Sequence, residues 1–173
     1  MIKKRTFNGT KKYVELYRVY DGDTIEIITK LDMFETKKRY MCRLKNIDSL
    51  ELKPSKNIKD RPIMIEYAEK TKKILELLLT PILYIEFEEE DKYGRLLGTV
   101  YLTERIKCIY FYSYYKKGLN INSWFITNSL VNSYDGGTKE EYNIEWVIKN
   151  KENIDKILDE LETNPNLKYE LTN

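Results

Sequence analysis

Five charged side chains in three short stretches could do chemistry together: Asp23, Arg43, Asp48, Glu51 and Arg95. They fall in Asp21-Gly22-Asp23-Thr24, in the run from Arg43 to Glu51, and in Asp91-Lys92-Tyr93-Gly94-Arg95. Three acids and two arginines suit one task, holding a hard metal ion while a phosphodiester is cleaved. The chain has no histidine, so proton transfer would fall to carboxylates, guanidinium groups, hydroxyls and a metal.

Each stretch also has a plain explanation. Asp21-Gly22 is a strong tight-turn signal, and taken alone this first stretch reads better as a hairpin turn than as a ligand site. Its functional reading is that the turn delivers Asp23 as a hard oxygen ligand. In the second stretch Arg43 offers a planar fork matched to phosphate oxygens. Asp48 and Glu51 follow in a loop within reach of one site. A surface salt-bridge cluster accounts for them equally well. The third stretch is either a solvated turn, with Gly94 supplying positive φ, or the support from which Arg95 meets a phosphate, with Lys92 and Tyr93 flanking the nucleotide.

The elements that must position these residues follow from periodicity. Residues 13–20 and 24–29 read as strands, the second alternating Ile25 and Ile27 with Glu26. Residues 37–44 form a third strand, and 45–61 an irregular stretch. Asp60 is the expected N-cap of a helix with Pro62 in its first turn. Met64, Ala68, Thr71, Leu75 and Leu78 then keep helical spacing up to Thr80-Pro81. Strands follow at 83–87 and 96–102. Asn120 or Asn122 caps a short helix through Asn128. Gly136-Gly137 precedes a long amphipathic helix over 139–162, which Asn164-Pro165 ends before a short frayed tail. Five strands with a helix between the third and fourth predict an α+β fold, a five-stranded OB-type β-barrel with about three α-helices. The expectation is one domain over 1–173, with the barrel and first two helices in 13–136.

The 173 residues carry 30 basic and 28 acidic side chains, a formal net charge of +2. That balance is too even to argue for nucleic acid as a partner, so any polyanion site must be local. Cys42 and Cys108 match no metal-ligand spacing and are expected as unpaired thiols. No apolar run resembles a signal peptide or a membrane span, so a soluble, intracellular chain without a membrane partner is expected, as a monomer. The 15 tyrosines read as half-buried strand residues for the most part.

Taken in order on this strand plan, the three stretches resemble the staphylococcal nuclease (thermonuclease) family, from about Tyr13 to the C-terminal helix. The resemblance implies Ca²⁺ held by Asp23 and Asp48, with the backbone carbonyl of Ser49 completing the shell. It implies Glu51 acting on the attacking water, and Arg43 and Arg95 binding phosphate of a DNA or RNA substrate that is left with 3′-phosphate ends. Lys92, Tyr93 and Tyr134 are the corresponding substrate-binding positions. The stretch from Tyr134 to Lys139 is similar to a segment of intracellular eukaryotic and large-virus members. Leu50 stands where the family usually has proline. Residues 104–117, with Tyr110-Phe111-Tyr112-Ser113-Tyr114-Tyr115, look like an insertion forming an extra hairpin and a surface for single-stranded nucleic acid or a protein partner. A non-catalytic binding module on the same barrel is the competing expectation.

Overall fold

The computed structural model describes residues 6–107, 113–137 and 143–171. Strands β1 (Lys11–Val19), β2 (Thr24–Thr29) and β3 (Lys38–Leu44) form an antiparallel meander. A two-residue β4 (Ile47–Asp48) precedes helix α1 (Arg61–Leu78). Then come β5 (Ile82–Phe87), the long β6 (Leu96–Lys107), β7 (Ser113–Asn120) and α2 (Ile121–Thr127). The chain ends with β8 (Asn132–Ser133), α3 (Ile144–Thr163) and a short α4 (Leu167–Glu170).

Alternation with a period of two turns Val14 of β1, Ile25 and Ile27 of β2, and Leu83, Ile85 and Phe87 of β5 into one core, and a register shift between Leu16 and Arg18 brings Val19 of β1 in with them. β1 pairs with β5 and β5 with β6. A parallel joint of β3 with β6, Cys42 opposite Leu96 and Leu44 opposite Gly98, closes five strands into a ring. The seam needs glycine. A Cβ on Gly98 would lie 2.6 Å from Ile85 Cγ2 and 3.2 Å from Cys42 Sγ. The barrel predicted from the strand order is therefore present, and closing it leaves no free edge among the five strands.

α1 buries Met64, Tyr67, Ala68, Thr71, Ile74, Leu75 and Leu78 along one face. α3 packs on it through Val147, Ile154, Ile157 and Leu161, with Tyr67 edge-on to Trp146 at 5.5 Å. Each such buried aliphatic side chain contributes about 1.5–3 kcal/mol. Lys70 bridges Glu66 at 2.6 Å and Asp155 at 2.5 Å across the helix pair. No described helix is long and apolar enough to cross a membrane.

Several details differ from expectation. Asp60 occupies the N-cap position, but with φ 61° and no capping side-chain hydrogen bond. The first turn is held by Ile63 and Met64 N–H donating to the Asp60 carbonyl instead. α3 starts at Ile144, where Asn143 Oδ1 accepts from Glu145 N at 2.9 Å; residues 138–142 lie outside the described residues. The tail contains α4. The expected extra hairpin is seen as β6 running on to Lys107 and pairing with β7, Lys107 opposite Ser113. Cys108, Tyr110, Phe111 and Tyr112 lie outside the described residues. Cys42 is a buried free thiol, and burial pushes it up to about 12.

Candidate active site

The turn between β1 and β2 is built from its own backbone. Tyr20 and Asp21 N–H groups both donate to the Thr24 carbonyl, at 2.9 and 3.2 Å. Asp23 N donates to Asp21 Oδ1 at 3.1 Å. Gly22 cannot be larger, because a Cβ there would meet Ser49 Cβ at 2.8 Å and Thr71 Cγ2 at 2.9 Å. The turn is thus pressed between α1 and the loop after β4, and Asp23 is delivered to an interior position, 2% exposed.

The second stretch comes to meet it. Leu44 N donates to the Asp23 carbonyl at 2.8 Å, and Lys45 N to the Gly98 carbonyl at 2.9 Å. Asn46 then adopts φ 62°, a left-handed conformation that asparagine tolerates. This reverses the chain into β4, which pairs with β8, Ile47 opposite Ser133 and Asp48 opposite Asn132. Tyr134 N donates to the Asn46 carbonyl at 2.9 Å. The stretch 45–61, expected to be irregular throughout, is therefore tied at its start to a segment about 85 residues away.

Arg43 joins the pieces. Its Nη1 donates to Asp23 Oδ1 at 2.8 Å, and its Nη2 to Asp48 Oδ1 at 2.7 Å and the Ile47 carbonyl at 3.2 Å. Asp23 also accepts from Thr24 Oγ1 and Ser49 N, both at 2.9 Å. Burial pulls the Arg43 guanidinium down, but Asp23, Asp48 and Asp21 outweigh it and its net shift is upward. Asp21 is pushed up to about 6, by burial first and then by the charge of Asp23. Three carboxylates, Asp21, Asp23 and Asp48, thus surround one guanidinium, an excess of acidic over basic groups by count.

That excess bears on whether a hard cation fits. The oxygens of Asp23 and Asp48 converge on one guanidinium, and hard oxygen donors of this kind suit Ca²⁺ or Mg²⁺. Among the described residues no three His, Cys, Asp or Glu side chains form a metal-holding group. A cation would rest on two carboxylates completed by backbone oxygen and water, and Arg43 would have to give up its present position.

Beside this centre a cleft of about 700 Å³ opens, with Arg43, Lys45, Tyr93, Arg95 and Tyr134 among its walls. The third stretch shapes one side. Asp91 Oδ1 accepts from Tyr93 N and Arg95 N, its Oδ2 accepts from Arg95 Nε at 2.7 Å, and Gly94 turns the chain at φ 78°. Arg95 Cζ lies 5.5 Å from the Tyr93 ring centre, and Lys92 Nζ lies 5.1 Å from it. Tyr134, also in the cleft wall, has its ring 6.0 Å from Arg43 Cζ and donates its hydroxyl to the Gly137 carbonyl at 2.8 Å.

Of the residues singled out in the sequence, Asp23, Arg43, Asp48 and Ser49 are in direct contact, and Lys92, Tyr93, Arg95 and Tyr134 share the cleft with Arg43. Glu51 is exposed and is not part of the cleft wall. Leu50 before it is 6% exposed and packs in the core, so the loop is anchored by an apolar plug at this position. Sequence reasoning missed Asn122 except as a helix cap. Asn122 Nδ2 donates to the Lys45 and Gly98 carbonyls and its Oδ1 accepts from Val100 N, pinning α2 to the barrel seam two residues beyond Arg43. Asn120 is the cap, accepting from Ser123 N at 3.1 Å.

A family model described as staphylococcal nuclease homologue matches residues 41–155. This chain belongs to the staphylococcal nuclease family. Arg43, Asp48, Glu51 and Arg95 lie inside the matched region, whereas Asp23 lies before it and is brought to Arg43 and Ser49 only through the fold. No curated protein matches the chain. Membership in the staphylococcal nuclease family carries a nuclease-family or nucleic-acid-binding role.

Proposed function

We propose that this staphylococcal nuclease homologue is a calcium-dependent nuclease that hydrolyses phosphodiester bonds of DNA, RNA or both and leaves 3′-phosphate ends. The observation that carries this reading is Arg43 bridging Asp23 and Asp48 at 2.8 and 2.7 Å beside a cleft it shares with Arg95. Asp23 and Asp48 would hold the ion, helped by the Ser49 carbonyl. When bound, the ion would supply positive charge against the charge developing on the phosphoryl group. Arg43, turned from the acids to the substrate, and Arg95 in the same cleft bind the phosphoryl oxygens and stabilise their charge. Glu51 accepts a proton from the attacking water as the bond to the 5′ oxygen breaks. Lys92, Tyr93 and Tyr134 hold the nucleotide.

The test is hydrolysis of matched single-stranded DNA and RNA in calcium, in EGTA and with Glu51→Gln. Loss of turnover in EGTA and a fall of at least about a hundredfold with Glu51→Gln are expected. Undiminished activity in EGTA sinks the metal role, and a fully active Glu51→Gln sinks the base assignment. The exposure of Glu51 outside the cleft wall favours a second reading, a binding module on the same barrel. Such a module retards nucleic acid in a gel without degrading it after calcium is added.

A further inference from the structure

The outer face of β1, β2 and β3 carries a feature the candidate site does not use. β1 loses register between Leu16 and Arg18, and at this bulge two successive side chains, Tyr17 and Arg18, both turn to solvent. Bulges of this kind re-aim side chains beside functional sites. Tyr17 is 49% exposed, and Tyr20, immediately before the Asp21 turn, is 52% exposed. Arg39 projects from β3. Between the two arginines stands Glu26 of β2, whose side chain is only 12% exposed while theirs are each 58% exposed.

Glu26 accepts from Arg18 Nε at 2.7 Å and faces Arg39 Nε at 3.8 Å. Each guanidinium also lies against a ring: Arg39 Cζ is 4.9 Å from the centre of Tyr17, and Arg18 Cζ is 6.0 Å from that of Tyr20. Among the described residues no other carboxylate bridges either arginine. Engagement through Nε leaves the terminal donors to a ligand, and two positive charges face one negative charge.

Two exposed rings and two guanidinium planes, held in place before a ligand arrives, are the groups on which unpaired bases stack and to which phosphates bind. The row also leads to the candidate site. Glu26 lies two residues along β2 from Thr24, which pairs with Arg43, and Arg39 lies four residues along β3 from Arg43, about 13 Å at ~3.3 Å per residue. We propose that this face is an exosite for a single-stranded segment of the same nucleic-acid polymer whose phosphate lies at Arg43. The proposal rests on the chain acting on nucleic acid, and it does not require that the chain cleave it.

The test is fluorescence anisotropy in EGTA with labelled dT20 and dT3. The wild-type chain is expected to bind dT20 more tightly than dT3. The double variant Arg18→Gln/Arg39→Gln should lose at least about tenfold on dT20 and lower the salt slope by about 0.7 per arginine removed. Tyr17→Ser/Tyr20→Ser should lose about tenfold with the salt slope intact. Arg18→Lys/Arg39→Lys, a milder change should the glutamine variant fail to fold, keeps the slope but loses affinity because the planar fork is gone. Equal binding of dT20 and dT3 by the wild type, or wild-type affinity for dT20 in all three variants, overturns the exosite. Length-dependent binding without hydrolysis in calcium removes the nuclease reading and leaves the exosite standing. Hydrolysis without length-dependent binding does the reverse.

Discussion

Arg43 and Arg95 are given the same task by family resemblance, yet the structure holds them in opposite ways. Arg43 is buried between two carboxylates from two different segments, its side chain 9% exposed. Arg95 is 28% exposed and paired with Asp91, four residues earlier in its own turn. Arg43 is thus part of the framework that joins the β1–β2 turn, β3 and β4, and removing it strands charge in the interior. Arg95 is attached to the framework by a local turn, and without its side chain Asp91 still accepts from the backbone N–H groups of residues 93 and 95. The difference teaches that one arginine should couple folding to function while the other serves function alone.

The largest expected effect is that of Arg43→Gln. It leaves Asp23 and Asp48 buried without their cation, which costs about 3–5 kcal/mol, readable as a shift in the urea unfolding midpoint. If Asp23 and Asp48 hold calcium as proposed, the ion should restore more stability to this variant than to the wild type, where it would compete with Arg43 for the same oxygens. A variant as stable as wild type would break the comparison. Next comes Gly22→Ala, which forces a methyl against Ser49 and Thr71 at under 3.0 Å and should cost about 1–3 kcal/mol in the same melt. The smallest change in stability is expected for Arg95→Gln, under about 1 kcal/mol for a partly exposed pair within one turn. Its initial hydrolysis rate should nonetheless fall about 10²–10³-fold. If Arg95→Gln unfolds as readily as Arg43→Gln, the distinction between framework and attachment is wrong.

Local features were legible in the chain. The alternation at Ile25 and Ile27 and the helical spacing from Met64 to Leu78 each report which side of an element is buried, and the elements form where that pattern lies. The turn 91–95 was legible too, because Asp91, Gly94 and Arg95 satisfy one another within five residues. Asp60 was half legible: its place before the helix was right, but its left-handed backbone takes the side chain away from the cap. The pairing of β4 with β8 had no signal, since a two-residue strand has no period to read and its partner is far along the chain. Leu50 is similar. Its apolar side chain says only that it prefers burial, and the core it enters is assembled from distant residues.

By itself the sequence determined the types and order of the groups: three acids, two arginines, the turns that carry them, and the strand and helix order that a barrel requires. These are set by side-chain chemistry and by periodicities that span a few residues. Only the tertiary structure decided that Arg43 spends its charge on Asp23 and Asp48, that Arg95 and Tyr134 face a common cleft, and that Glu51 stands outside its wall. Those relations depend on closing β3 against β6 and pairing β4 with β8. Contacts between residues so far apart in sequence are decided by how a whole core packs, and no local pattern encodes them.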